Sequence, residues 1–277
     1  MANLTPYRIT GPALISFSGG RTSAFMLWQI LQAHGGTLPD DVVVAFANTG
    51  KEREETLRFV HECGSRWGVK IHWLEWRPMP DRFAEVGFNS AARAGEPFEG
   101  LIALRGRLPN PLQRFCSREL KVEPIKAFCR SLGWERWQNV IGLRHDEGMR
   151  VIKKLAENDK GGHRWKSAMP MAKAKNTKRD VMAFWSEQDF DLGLHPHEGN
   201  CDLCFLKARG TLVAIIRAQP GVEDWWIAQE AAGRRFERAR SYAEIAAATH
   251  AQIDIFDVLA GEEYDAECGL VCAGDAA

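Results

Sequence analysis

The sequence predicts an α/β fold: a doubly wound parallel sheet followed by a helical, cysteine-bearing C-terminal extension. Three observations carry this. Residues 13–18 and 42–47 are short, largely apolar runs, as expected of strands buried on both faces of a parallel sheet. Between them Phe25, Met26, Ile30 and Leu31 recur at helical spacing over residues 22–34, which makes a right-handed βαβ unit. Both runs stop at glycine turns, Ser18-Gly19-Gly20 and Asn48-Thr49-Gly50.

The elements follow in order. Glu52, Glu54 and Glu55 load the positive end of a helix over residues 52–67. Residues 69–73 read as a third strand. Arg77-Pro78-Met79-Pro80 and residues 106–111 then punctuate a stretch without a clean period, read as an insertion over the sheet. Periodicity returns as a helix over 119–132, followed by a strand over 137–142 that again stops at a glycine, Gly142. A helix over 178–188 is entered from Asn176-Thr177, a capping pair, and residues 193–199 form a loop. Helices over 206–218 and 242–259 complete the chain. The expected division is an α/β domain over 1–190 and a Cys-rich helical extension over 191–277, packed on the same domain.

Apolar residues at 45%, charged residues at 26% and a net charge of zero exclude a disordered, fibrous or membrane chain. The first residues lack a basic segment followed by an apolar one, and no run of 18 apolar residues occurs, so we expect a cytoplasmic protein with no membrane partner. In that compartment the seven cysteines point to metal or redox chemistry rather than disulfides. The net charge names no partner, but basic residues crowd positions 144–179, a strip that would suit a nucleic-acid substrate.

An apolar strand that stops at Ser18-Gly19-Gly20 and restarts as a helix makes an anion site. The glycines let the chain turn where a Cβ would clash, and the unpaired N–H groups of the first helical turn face the loop. The motif Ser18-Gly19-Gly20-Arg21-Thr22-Ser23 resembles the PP-loop, Ser-Gly-Gly-x-Asp-Ser, of the ATP pyrophosphatases and phosphoadenosine phosphosulfate (PAPS) reductases, with Thr22 in place of Asp. Four further segments resemble the same superfamily in order. Asn48-Thr49-Gly50 is similar to its Asp-Thr-Gly, with Asn48 in place of Asp. Cys116-Ser117-Arg118-Glu119-Leu120-Lys121-Val122-Glu123-Pro124 is similar to its Cys-x-x-x-x-Lys-Val-x-Pro. Gly142-Leu143-Arg144-His145-Asp146-Glu147 is similar to its Gly-x-Arg-x-x-Glu, with Arg150 as the second arginine. Glu267-Cys268-Gly269-Leu270 resembles its Glu-Cys-Gly-Leu-His tail, with Val271 in place of His.

The resemblance implies an adenine nucleotide alpha-hydrolase-like, Rossmann-type fold in which 1–190 binds an adenine nucleotide. The cofactor would be ATP with Mg²⁺, or PAPS/APS, and the contacts would be Ser18, Gly19, Gly20, Arg21, Thr22, Ser23, Asn48, Thr49, Gly50, Gly142, Arg144 and Arg150. Arginine suits phosphate because its planar fork makes bidentate contacts and stays charged. The implied catalytic residues are Cys268, Lys121 and Arg144. A lysine at a helix start also needs an anion to balance it.

The last constellation is Cys201-Asp202-Leu203-Cys204, two thiols in a Gly199-led turn opening a helix, where a thiol is acidified. One pair cannot close a four-ligand site. Cys116, Cys268, Cys272, His195 and His197 are the other candidates, and the resemblance implies a [4Fe–4S] cluster on Cys116, Cys201, Cys204, Cys268 and Cys272 before Zn²⁺. A redox dithiol remains open. Cys63 and Cys129 read as core, as do most of the ten tryptophans. The implied activity is sulfur-related: ATP-dependent adenylylation and sulfur transfer, or reduction of activated sulfate, with a sulfur or electron donor protein as partner. The alternative is a nucleic-acid-binding or defence-associated module that keeps the fold without turnover.

Overall fold

A computed structural model of the chain describes residues 4–195, 198–199 and 201–251. Six strands, β1 (Ala13–Ser16), β2 (Val42–Asn48), β3 (Ile71–Trp76), β4 (Phe83–Val86), β5 (Trp137–Val140) and β6 (Trp165–Ala168), form one sheet in the order β4-β3-β2-β1-β5-β6. All neighbours are parallel except β4, which pairs antiparallel with β3 at the edge. The sheet is doubly wound because alternate side chains feed two cores. Ile15, Val44, Phe46 and Trp73 pack with α1 (Arg21–Ala33) and α2 (Glu54–Arg66). Leu14, Ala45, Ala47 and Leu74 face the opposite way, against Ile125, Phe128 and Cys129 of α5 (Glu123–Ser131).

Among the elements not anticipated are two pairs. The stretch read as an irregular insertion contains β4 and the helix α3 (Glu96–Arg105), whose buried Pro97, Phe98, Leu101 and Ile102 sit at helical spacing but in a short helix between Gly95 and Gly106, with Pro97 in its first turn. The basic stretch holds α6 (Gly148–Lys160) and the edge strand β6, whose burial is too slight to pattern the sequence; Lys154 is the one buried residue of α6. The helix expected over 119–132 begins earlier, as a short turn α4 (Phe115–Ser117), and passes through a π-helical turn (Arg118–Val122) before α5. Pro124 explains the break, since it cannot donate to the carbonyl four residues back and its ring crowds that carbonyl.

After β6 come α7 (Pro170–Lys173) and α8 (Lys178–Ser186). At the start of α8, Thr177 donates its N–H and its hydroxyl to the Asp180 carboxylate at 2.7 and 2.8 Å. The later helices are α9 (Arg209–Ala218), α10 (Asp224–Gln229) and α11 (Tyr242–His250). They share one core with α3 and the π turn: Phe98, Leu101 and Leu120 pack with Leu203, Ile216, Trp226 and Tyr242. Residues 252–259, expected to continue the last helix, lie outside the described residues. No helix among the described residues is long and apolar enough to cross a membrane.

Candidate functional site

The parallel strands run outward from β1 in two directions, through β2 to β3 and through β5 to β6, so the carboxyl ends of β1 and β5 frame a topological switch point. The 18–23 loop sits there. Ser18 N–H donates to Ser23 Oγ at 3.2 Å, Ser23 Oγ donates to the Gly20 carbonyl at 2.9 Å, and the two serine hydroxyls are 2.9 Å apart. Gly20 holds the N-cap position of α1 in extended backbone, φ −101° and ψ 162°, and no side chain caps the helix. The two glycines differ in their reasons. Gly19 has φ +79°, and a Cβ there would lie 2.7 Å from Thr56 Cγ2 of α2. A Cβ at Gly20 would meet nothing closer than Ser18 Oγ at 3.7 Å.

Across the switch point, a Cβ on Gly142 would lie 3.4 Å from Ser23 Cα, so the β5 exit passes directly against the first turn of α1. This brings Arg144 to the loop. Its Nη1 donates to Thr22 Oγ1 at 3.3 Å and its Nε to Asp146 Oδ1 at 3.0 Å, with Glu147 Oε2 3.6 Å away. Glu147 is buried, accepts the Arg144 N–H at 2.9 Å and also pairs with Arg150. Burial works against ionisation of Asp146, but the Lys178 N–H and the Arg144 guanidinium outweigh it and hold the carboxyl below its ordinary range. The structure thus gathers Ser18, Gly19, Gly20, Thr22, Ser23, Gly142 and Arg144, with Arg150 behind Glu147. Arg21 points elsewhere: its Nε donates to Asp191 Oδ1 at 2.7 Å and its Nη1 to the Leu194 carbonyl at 2.9 Å.

The β2 exit forms a second cluster. Asn48 is fully buried; its amide donates to Glu75 Oε1 at 2.8 Å and to the Ala92 carbonyl at 2.9 Å, and its Oδ1 accepts the Gly50 N–H at 3.1 Å. The carboxylate of this region therefore stands on β3, as Glu75, with asparagine as its neutral partner. Gly50, at φ +80°, has Pro97 Cδ 2.9 Å from where a Cβ would be. Thr49 donates its N–H to Glu52 Oε2 at 2.8 Å, and its hydroxyl lies 2.9 Å from the same oxygen and 3.5 Å from Cys201 Sγ. Lys121 Nζ is 3.7 Å from Glu52 Oε1, so a side chain of the protein itself stands where an anion was expected. Burial, reinforced by the Glu52 carboxylate, pushes the Cys201 thiol up to about 12, against the opposing pull of Lys121 and Thr49.

The Cys-x-x-Cys turn is fixed to this cluster by a buried ion pair. Lys51 Nζ is 2.9 Å from Asp202 Oδ2 and 5.0 Å from the Trp225 ring centre, and the Asp202 N–H donates to the Lys51 carbonyl at 2.7 Å. Asp202 Oδ1 accepts from Trp226 Nε1 at 2.8 Å. Beyond the turn, buried Lys207 donates to the carbonyls of Glu198 and Gly199 at 3.1 and 2.8 Å, and burial lowers its pKa. Lys51, Glu52, Asp202 and Lys207 were missed as site residues, although all four flank or lie within the motifs already quoted.

Cys204 is buried, and Cys116 and Cys201 are half-buried against the same apolar core. Among the described residues no three His, Cys, Asp or Glu side chains converge to hold a metal ion. The described cysteines therefore do not fit a metal or cluster by themselves. Cys268, Cys272 and His197 lie outside the described residues, and His195 donates its N–H to Glu198 Oε2 at 2.9 Å. Cys63 and Cys129 are wholly buried, as expected of core.

Comparison with known proteins adds four findings. The model of the phosphoadenosine phosphosulfate reductase domain matches residues 12–192. The uncharacterized nin region protein ORF290 of Escherichia phage lambda is 28% identical over 219 residues, which span 76% of this chain and 71% of that protein. The uncharacterized protein MJ0066 of Methanocaldococcus jannaschii is 29% identical over 148 residues, 53% of this chain but 26% of its own length. The U34-tRNA thiolase NcsA from Methanococcus maripaludis, solved with its [4Fe–4S] cluster, is 13% identical at a TM-score of 0.40, covering 84% of this chain and 79% of that one.

Proposed function

The chain belongs to the phosphoadenosine phosphosulfate reductase domain family, and from that premise we propose that it is an enzyme that binds the phosphates of an adenine nucleotide at the 18–23 loop and uses the nucleotide in sulfur chemistry. One observation carries the reading: an uncapped helix N-terminus, with an open glycine at its cap and Arg144 hydrogen-bonded to its first turn, sits at the switch point of the sheet. Phosphate oxygens there accept from the N–H groups of α1 and from the Ser18 hydroxyl. Arg144 supplies the charge-assisted contact, and Asp146 and Glu147 orient it.

We assign ATP with Mg²⁺, because the Ser-Gly-Gly-x-x-Ser loop is intact. The second cluster supplies a sulfur centre. Thr49 links the Cys201 thiol to the Glu52 carboxylate, and burial together with that charge keeps the sulfur a protonated thiol, with Lys121 pulling the other way. A [4Fe–4S] cluster would need Cys268 and Cys272 beside the described cysteines and would then supply a sulfur-binding Lewis acid. Reduction of PAPS or APS is the second reading, favoured by Glu267-Cys268-Gly269-Leu270, in which the Cys268 thiolate attacks the sulfur, the S–O bond to the phosphate breaks, and the nucleotide leaves to give a Cys268 thiosulfonate.

Titration calorimetry with ATP and with PAPS, on the full chain and on Arg144→Ala, tests the assignment. We expect ATP to bind and the variant to lose at least tenfold in affinity. PAPS binding tighter than ATP would transfer the assignment to activated-sulfate reduction. An unchanged affinity in Arg144→Ala would remove the site. Steeply salt-dependent duplex binding with no nucleotide affinity would instead support the nucleic-acid module.

A further inference from the structure

The charge of this chain is neutral only in total. Residues 252–277 hold seven Asp and Glu and no Lys or Arg, so residues 1–251 carry a net +7. Positions 144–179 alone hold eleven Lys and Arg against four Asp and Glu, also +7, so the rest of residues 1–251 is balanced. Within that stretch α6 has an unusual surface. Met149, Ile152 and Leu155 are 80%, 61% and 49% exposed and follow one another at a spacing of three along the helix. The inner side of α6 is mixed: Val151 packs against Ile141, Leu143 and Met169, but Lys154 is buried beside it and the Asn158 amide is hydrogen-bonded to the backbone of Ser167 at 2.8 Å. An amphipathic helix that turns methionine, isoleucine and leucine outward among lysines fits a partner that is both apolar and acidic.

We propose that the α6 face is covered by residues 252–277 of the same chain. Ile253-Asp254-Ile255-Phe256-Asp257-Val258-Leu259 sets two aspartates among five apolar residues, the complement of an apolar stripe bordered by lysines. Length is no obstacle. Twenty-six residues reach up to about 90 Å, whereas a folded body of 251 residues has a radius of gyration of about 18 Å. The attraction is a charge of −7 meeting one of +7, so the contact weakens with salt, while the apolar stripe sets its place on the surface. The inference is independent of which nucleotide the loop binds.

The test is zero-length carbodiimide cross-linking of the full chain, as an equal mixture of ¹⁴N- and ¹⁵N-labelled protein, with peptides mapped by mass spectrometry. Links should join Lys153 or Lys160 to the carboxylates of residues 252–277 within single chains. Their yield should fall at least fivefold in 0.5 M salt and at least tenfold in Ile152→Glu, which keeps every lysine but puts a negative charge on the exposed stripe. Circular dichroism confirms that the variant is folded. Links only between differently labelled chains would assign the face to a second copy and overturn the proposal. Links formed only after nuclease treatment would assign it to nucleic acid. Absence of links to 252–277, or the same yield in Ile152→Glu, would overturn it outright.

Discussion

Gly20→Asp should separate the stability of the loop from its binding function. The site has room, since a Cβ would have Ser18 Oγ 3.7 Å away, and the backbone at φ −101°, ψ 162° is already that of a helix N-cap. Aspartate is a preferred N-cap residue, better than glycine by only a few tenths of a kcal/mol. Its charge at the positive end of α1 adds about 0.3–1 kcal/mol. The variant should therefore be as stable as the parent or slightly more so, with a melting temperature raised by about 1–4 °C. The same carboxylate stands where a phosphate would sit. At about 4 Å and an effective dielectric constant of about 20, one pair of like charges costs about 4 kcal/mol. Halved for salt screening, that is about 2 kcal/mol, or roughly a thirtyfold loss of nucleotide affinity. Scanning and titration calorimetry on the same preparation read both effects. A raised melting temperature with an unchanged nucleotide Kd would refute the anion site, and a fall of more than about 3 °C would refute the N-cap argument. Gly19→Ala is the contrasting control: at φ +79° with Thr56 Cγ2 2.7 Å away, strain and overpacking should destabilise it by about 2–5 kcal/mol.

Three further outcomes follow from the second cluster. Asp202→Ala strands the buried Lys51 ammonium and the Trp226 indole N–H, and should cost about 3–5 kcal/mol in denaturant unfolding. Asn48→Asp places a second carboxylate 2.8 Å from Glu75, so one of the two must stay protonated. A folded-state pKa raised above the unfolded value makes stability fall as pH rises, so the deficit measured by thermal unfolding should be larger at pH 8 than at pH 5. The Cys201 thiol, pushed up to about 12, stays protonated while an unfolded thiol ionises, so its contribution to stability is complete below the unfolded value and is lost as pH rises through the folded one. Its alkylation at pH 8 should be slow, and Glu52→Gln, which removes the opposing charge, should speed it several-fold in mass-spectrometric time courses.

The readings that held are those set by neighbours in sequence. The βαβ opening follows from two apolar runs and one helical period, the tight strand-to-helix turn from adjacent glycines, and the Thr177 cap from residues three apart. Cys63, Cys129 and most tryptophans were assigned to core by residue type. Elements whose burial is slight or whose length is short left no such mark: β4 and β6 lie at sheet edges, α6 buries a lysine, and α3 is a short helix bounded by Gly95 and Gly106 with a proline in its first turn.

Sequence motifs also marked where the second cluster begins, but not what its residues do. Asn48 in place of aspartate read as a lost carboxylate, whereas β3 places Glu75 beside it. Lys121 needed an anion, which Glu52 provides from another strand's exit, and Cys201-Asp202-Leu203-Cys204 gained its anchor from Lys51. These partners are far apart along the chain. Local propensity acts over a few residues, while the choice of partner for a buried charge depends on which strand exits the sheet brings together. The sequence determined the α/β class, the opening unit and the glycine turn within it; only the packed sheet decided which charges meet, because burial makes each charge find its partner in space.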